Sequence, residues 1–345
     1  MKKLLLTLAL LGAAALFTPS RAQGPAWLDH VKPGGYLQTG FSFNNAFDNP
    51  TFYVKRARFS VVGDLYKSPE YGRLEYKIQA EFAGSPKLVD IFFKYTVCEA
   101  FGVQFGQFKT PLTIENSEYF PTKLEIIDYS LLVQRFAHMS AQDLAGVNST
   151  GRDCGIQFYG KLFPADDGHA RIAYNLALFN GTGINKNDND KSKDLMGRVM
   201  YYPIKDLAVA ASFSRRIGVV DVDYEYPVTA DYDVRLLDRY GFGVAYDGPH
   251  AYARTEWMAG HTNGTRAQAV YLTAGYKVSP KFFFGARYDY FDTDTLLPDT
   301  EQNYIAVGCC YAPFKSLRIQ LNYTHKQDPG GVTNNVVNLM TTIIY

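Results

Sequence analysis

Apolar residues recur at every second position along this chain. Between Gly72 and Phe82, the residues Gly72, Leu74, Tyr76, Ile78, Ala80 and Phe82 alternate with Arg73, Glu75, Lys77, Gln79 and Glu81. An extended strand sends successive side chains to opposite faces, so this stretch reads as a strand with one apolar and one densely charged face. The same period returns further on. Val89, Ile91, Phe93, Tyr95 and Val97 oppose Asp90, Lys94 and Thr96, and Ile172, Tyr174, Leu176 and Leu178 oppose Arg171 and Asn175. Leu317, Ile319, Leu321 and Tyr323 oppose Arg318, Gln320 and Asn322. About sixteen such segments are predicted, starting near residues 34, 51, 71, 87, 101, 151, 168, 194, 206, 237, 250, 266, 281, 302, 315 and 334. The segment near 206 is the hardest to assign, because its faces are mostly Ala and Ser.

A soluble sandwich can contain one such strand. A long series of segments of about ten residues, alternately apolar and polar and separated by turns, is the signature of a transmembrane barrel. Within lipid only helices and closed barrels satisfy every backbone polar group. The fold expectation is therefore all-β: a transmembrane antiparallel β-barrel of about 16 strands with a long inward-folded loop. A barrel of that size encloses an aqueous lumen. The last strand sharpens the reading. Asn335, Val337, Leu339, Thr341, Ile343 and Tyr345 alternate to a terminal aromatic, which resembles the C-terminal signal of outer-membrane proteins handled by the barrel-assembly machinery.

The first residues fit a targeting role. Lys2 and Lys3 precede an apolar stretch from Leu4 to Phe17, and Ser20 and Ala22 sit two apart. That is the layout of a secretory signal peptide cleaved after Ala22, leaving 23–345 as a single outer-membrane barrel. The apolar stretch is short for a spanning helix. Cleavage would remove Lys2, Lys3 and Arg21, taking the formal charge from +1 to −2. With 35 basic against 34 acidic residues, the chain lacks the basic excess of a general nucleic-acid binder. Its 26 Tyr, 24 Phe and 29 Gly suit pleated surfaces better than helices.

Catalytic and metal motifs are weak. Cys98, Cys154, Cys309 and Cys310 do not follow zinc-ligand spacing. Asp188, Asp190 and Asp194 sit in a polar run but do not match an EF-hand loop. No P-loop, nucleophile elbow or dinucleotide fingerprint is present. No enzymatic activity, cofactor or metal is expected.

Several motifs resemble one family in particular. These are Lys55-Arg56-Ala57-Arg58-Phe59, Gly106-Gln107-Phe108-Lys109-Thr110-Pro111-Leu112 followed by Glu115-Asn116, Gly151-Arg152-Asp153-Cys154-Gly155-Ile156-Gln157, and Lys193-Asp194-Leu195-Met196-Gly197-Arg198-Val199. Their order and spacing are similar to the phosphate-selective porin O and P family, especially its Bacteroidetes-like members. The resemblance implies a sixteen-stranded, trimeric, water-filled barrel that lets small hydrophilic solutes diffuse across the outer membrane. It also implies contact with membrane lipid and lipopolysaccharide, and passage of small anions such as phosphate.

The connection 110–150 interrupts an otherwise short-turn pattern, and loops of this length are uncommon unless functional. It carries Tyr119, Phe120, Leu124, Ile126, Ile127, Tyr129, Leu131, Leu132, Val133 and Phe136, so it is expected to fold into the lumen and narrow it, with a short helix within 123–137. Packing of the loop over the barrel mouth or at a trimer contact is the alternative. Alternation directs Arg56, Arg58, Arg73, Lys77, Lys94, Lys109, Arg171 and Arg198 inward as candidate pore-lining, anion-binding residues, together with Lys161, Arg254, Arg287, Arg318 and Lys326. Rings of Arg or Lys replace the hydration of an anion with charge-assisted hydrogen bonds. Glu75, Glu81, Asp90, Asp153, Glu256 and Asp289 point inward too, so opposite charges could instead pair across the wall. Two other readings stay open: an outer-membrane barrel enzyme built around Ser130, Ser140 and His138, and a non-channel, surface-binding barrel.

Overall fold

In the computed structural model of the chain, residues 31–46, 50–188, 192–217, 237–262 and 265–345 are described. The expected signal segment 1–22 and Asp190 lie outside them. Sixteen strands run through the described residues. The first eight are β1 (Lys32–Asn44), β2 (Thr51–Ser68), β3 (Gly72–Glu81), β4 (Lys87–Cys98), β5 (Phe101–Lys109), β6 (Arg152–Pro164), β7 (Ala170–Phe179) and β8 (Lys193–Ile204). The second eight are β9 (Leu207–Ile217), β10 (Leu237–Asp247), β11 (Ala251–Thr262), β12 (Thr265–Ser279), β13 (Phe282–Asp292), β14 (Glu301–Phe314), β15 (Leu317–Asp328) and β16 (Val332–Ile344). Each pairs antiparallel with its neighbour in sequence, and β1 pairs with β16 to close the barrel. The structure thus has the sixteen-stranded antiparallel barrel expected from the alternation.

The alternation places the two faces as the period of two requires. Ile78, Phe93, Leu176, Leu272, Phe284, Leu321 and Leu339 are exposed on the outer surface, whereas Gln79, Asp90, Arg198, Thr273 and Gln320 are buried inside. An apolar exterior around a polar interior is the lipid-facing arrangement. No helix among the described residues is long and apolar enough to cross a membrane. At the seam, Tyr36 faces Ile344 in register, and the Tyr345 hydroxyl donates to the Arg58 carbonyl at 3.0 Å.

The connection between β5 and β6 runs inside the barrel. It carries two short helices, α1 (Ile114–Glu118) and α2 (Leu131–Phe136). The helix expected within 123–137 is therefore α2, and α1 is an addition. Helices of five and six residues are unstable alone. These are capped by Thr113, which accepts from the Asn116 N–H, and by Ser130, which accepts from the Val133 N–H. Leu112, Leu124, Leu131, Leu132, Val133 and Phe136 pack against inward residues of the wall, among them Phe179, Met196, Met258, Ala269, Tyr271 and Phe291. Burial of this apolar row drives the loop into the lumen.

The wall makes room where the loop lies. Ile114 packs beside Ala208, Ala210 and Ala245. A Cβ on Gly243 would stand 2.9 Å from the Ile114 Cδ1. The small inward residues of β9, which made that strand hard to assign, are a seat for α1.

Candidate functional site

The site begins at the loop base. Gly106 has φ +126°, a conformation that favours glycine, and after it Phe108 and Lys109 both line the lumen cavity. The Asn116 amide then donates to the carbonyls of Thr110 and Gly151, each at 3.1 Å, tying the two ends of the loop together. Thr110, Asn116 and Gly151 all belong to the family-like motifs. Their structural work is to hold the loop.

The far wall clamps the loop with charge. The Glu256 carboxylate accepts from the backbone N–H groups of Ile114 at 2.6 Å and Glu115 at 2.9 Å, and from the Tyr271 hydroxyl. Arg254 bonds Glu115 at 3.2 Å and Glu125 at 3.0 Å, and its guanidinium lies 3.7 Å from the centre of the Tyr119 ring. Arg287 bonds Asp289 at 2.7 Å and the Asp128 carbonyl at 2.6 Å, while Asp289 accepts from the Leu131 N–H. Arg318 and Gln320 both donate to the Leu124 carbonyl at 3.0 Å. Arg198 donates to the Thr113 carbonyl at 3.0 Å and pairs with Glu118. These inward arginines are engaged by the loop.

The sequence-predicted residues therefore separate into groups. Arg58 is buried and paired with Glu81 at 2.8 Å. Arg56 donates to the Gln38 side chain at 2.8 Å. Arg73 pairs with Asp64 and with Glu75 near one barrel end, with 42% of its side chain exposed. Lys77 pairs with Asp90 at 2.7 Å. Lys109 donates to the Asn116 carbonyl and to the Tyr129 hydroxyl at 3.1 Å. Lys326 lies 5.3 Å from the Tyr304 ring centre. Lys161 and Arg171 are exposed near the same barrel end as Arg73, outside the cluster. Asp153 accepts from Cys154 and Gly181 N–H groups and is buried.

Lys94 is different. It lies over the Tyr159 ring at 4.7 Å and has no ion pair among the described residues, since Glu75, opposite it in register, bonds Arg73 instead. Beside it in register stand Gln104 on β5 and then Gln157 on β6. Both carboxamides are more than nine-tenths buried, and neither bonds a protein group among the described residues. These residues line a cavity of about 290 Å3 between the loop and the β3–β8 wall. Its lining holds four basic side chains (Lys77, Lys94, Lys109 and Arg198) against two carboxylates, Asp90 and Glu118. A second cavity of about 310 Å3 shares Lys77, Phe92 and Lys94 with it and continues towards the end where β1 begins. On the other side of the loop, a cavity of about 450 Å3 is lined by Asp128, Arg287, Tyr304 and Lys326.

Sequence reasoning missed several of these groups. Lys55 reaches the loop at Asp128 because a bulge at Gln38/Thr39 turns two successive residues of β2 inward. Arg152 bonds Asp90 at 2.5 Å from the very start of β6, where strict alternation no longer applies. Gln104 and Gln157 were visible as inward positions but carry no charge to attract notice. In the loop, burial raises the Asp128 pKa, but Lys55, Arg56 and Arg287 outweigh it and hold the carboxyl down to about 2. The side chain itself is 50% exposed, so this is a carboxylate in a cationic surround and not a sealed one.

The triad candidates do not assemble. Ser130 donates to Glu115, Ser140 donates to the Gln134 carbonyl, and His138 Nδ1 meets Asp143 at 3.0 Å. Neither hydroxyl bonds the imidazole. Asp188 pairs with Lys193, and Asp194 with Arg216. All four cysteines are free thiols.

A closed sixteen-stranded barrel with an apolar exterior and a charged lumen crossed by an inward loop defines a membrane channel of the outer-membrane type. Over residues 31–235 the sequence matches the family described as phosphate-selective porin O and P, and the chain belongs to that family. It is an outer-membrane porin. No curated protein sequence matches it. Among solved structures it is similar to an anion-selective porin from Comamonas acidovorans, with TM-score 0.66 and 12% identity, covering 91% of this chain and 99% of that one. It is similar to OmpT, an outer membrane protein of Vibrio cholerae in trimer form, with TM-score 0.65, 15% identity and coverage of 91% and 99%. It also resembles the outer membrane channel DcaP of Acinetobacter baumannii, with TM-score 0.63, 13% identity and coverage of 91% and 97%.

Proposed function

We propose that this porin conducts small hydrophilic solutes passively with a preference for anions, phosphate among them, and that the Lys94 cavity carries the preference. The supporting observation is the lining itself: four basic groups against two carboxylates, with Lys94 free of any ion pair among the described residues. Cations fixed at a narrow point select anions by replacing part of their hydration. The loop 110–150 acts as the constriction, since it occupies the lumen and borders the cavity at Pro111, Ser117 and Phe120. Of the eight candidate pore residues, Lys77 and Lys94 bear most directly on a solute. Arg56, Arg58, Lys109 and Arg198 shape the wall and the loop, and Arg73 and Arg171 act at the barrel end.

The chain works as a channel and not as an enzyme, which the dispersed Ser130, Ser140 and His138 support. It assembles as a homotrimer in the outer membrane. Residues 1–22 direct export, and the strand ending at Tyr345 presents the barrel to the assembly machinery. Membrane lipid and lipopolysaccharide cover the outer face. Planar-bilayer recording tests the reading: stepwise conductance is expected, with a reversal potential in a salt gradient that favours anions. Absence of conductance would support the non-channel barrel, and cation selectivity would refute the role of the cavity. Cross-linking in detergent should show a trimer.

A further inference from the structure

We infer that the Lys94 cavity receives organic anions bearing an apolar, ring-sized body, in preference to bare inorganic anions. This rests on the anion preference proposed above and adds the class of solute.

Three features of the cavity carry the inference. The first is the kind of charge left free. Arginine presents a planar fork that matches phosphate geometry, whereas lysine presents a compact point charge. The guanidinium group that lines this space, that of Arg198, is engaged by Thr113 and Glu118. Of the lining ammonium groups, Lys77 pairs with Asp90 and Lys109 donates to Asn116 and Tyr129, so among the described residues Lys94 is the one without a hydrogen bond or ion pair to protein. The second feature is the row beside it. Gln104 and Gln157 follow Lys94 in register across β4, β5 and β6, buried and without side-chain partners among the described residues. An ammonium next to two open carboxamides supplies one charge and N–H donors on one side, which suits a carboxylate head.

The third feature is an apolar patch within the same lining. Phe92 and Phe108 stand edge to face at 6.1 Å, and Phe120 and Pro111 complete the surface. A bare inorganic anion must replace hydration on all sides and has no use for this surface. An organic anion can put its head on the Lys94 row and its body on the phenyl rings, where aromatic pairs add attraction beyond area burial. The size agrees. The cavity of about 290 Å3 would hold roughly ten waters at about 30 Å3 each. It lies near the lower edge of the range of about 300–1,000 Å3 found for small organic ligands.

The test uses the full-length porin in planar bilayers carrying a chloride current, with benzoate, acetate, inorganic phosphate and neutral benzamide added in turn. Benzoate is expected to block at about tenfold lower concentration than acetate or phosphate, the scale of one good aromatic contact. Benzamide should block less than benzoate. Phe120→Ser, on the exposed edge of the loop, should bring benzoate down towards acetate, and Phe92→Leu, which keeps much of the volume, should do so in part. Lys94→Gln should weaken both carboxylates.

Equal block by benzoate and acetate in an anion-selective channel would overturn this inference and leave the anion preference standing. So would phosphate blocking more strongly than benzoate, or a benzoate-to-acetate ratio unchanged in both Phe variants. Benzamide matching benzoate would overturn the role of the Lys94 row. A cation-selective reversal potential would remove both this inference and the reading beneath it.

Discussion

The two halves of the lumen wall have opposite characters although they belong to one continuous sheet. From β8 to β13 the inward residues alternate between small groups (Ala208, Ala210, Gly243, Ala245, Ala267 and Ala269) and long charged ones such as Arg198, Arg254, Glu256, Arg287 and Asp289. The small residues admit the loop, and the charged ones bond it. From β3 to β6 the inward row of Lys77, Lys94, Gln104 and Gln157 faces a cavity. Equal numbers of charges on the two sides would look alike in a composition, yet one side uses its charge to hold the chain and the other leaves Lys94 without an ion pair among the described residues. An inward arginine is therefore no indicator of selectivity until its partners are known. Buried ionised groups are mostly paired, and a loop rich in backbone carbonyls and carboxylates provides partners first; Arg239, which lies over the Phe136 ring at 5.6 Å, meets the loop through an aromatic face instead.

The comparison can be broken most forcefully at Arg254. Arg254→Ala leaves Glu115 and Glu125 without their shared cation, and loss of one side of a buried pair costs on the order of 3–5 kcal/mol. A displaced loop should appear as higher, noisier single-channel conductance and new protease cleavage within residues 114–125. An unchanged channel would show that this half of the wall does not hold the loop. Glu256→Gln keeps the shape but loses the charge that accepts two backbone N–H groups. It should cost on the order of 2 kcal/mol and show the same signs more weakly.

On the open side, Lys94→Glu should move the reversal potential towards cations, lowering the anion-to-cation permeability ratio several-fold, because a charge at a constriction acts on every passing ion. Asp128 gives a smaller, pH-dependent test. Its folded value of about 2 lies below the ordinary 3.8, so the stabilisation it provides is fully present above about pH 4 and is lost as pH falls through about 2. Current recorded between pH 7 and 4.5 should therefore show no step that Asp128→Asn abolishes. The smallest effects belong to Lys161→Ala and Arg171→Ala. Both side chains are exposed at the barrel end, so any change in selectivity should vanish in 1 M salt, where screening acts within about 3 Å.

Much of this organisation was readable before the structure. A period of two, repeated between turns, is a local property of strands, so the barrel, its strand count and its outward face followed from residues such as Ile78, Phe93 and Leu339. The apolar content of 110–150 likewise required the loop to find cover. Other features were not legible for definite reasons. The bulge that turns Lys55 inward breaks the period without a marker in the residues around it. The poorly patterned β9 made sense only when Ile114, nearly a hundred residues earlier, was seen against Ala208 and Ala210. The motifs around Gly106, Asn116 and Gly151 pointed to the family, yet their part in tying the loop ends depends on positions far apart in sequence.

By itself, then, the sequence determined which face of each strand meets lipid and which meets water, because side-chain direction in a strand depends only on position in the chain. Only the tertiary structure decided which inward charges are engaged and which are free. That depends on the loop and on the neighbouring strand in the closed sheet. Arg254 and Lys94 both point inward by alternation, and they differ because Glu115 and Glu125 reach one of them while no carboxylate among the described residues pairs with the other.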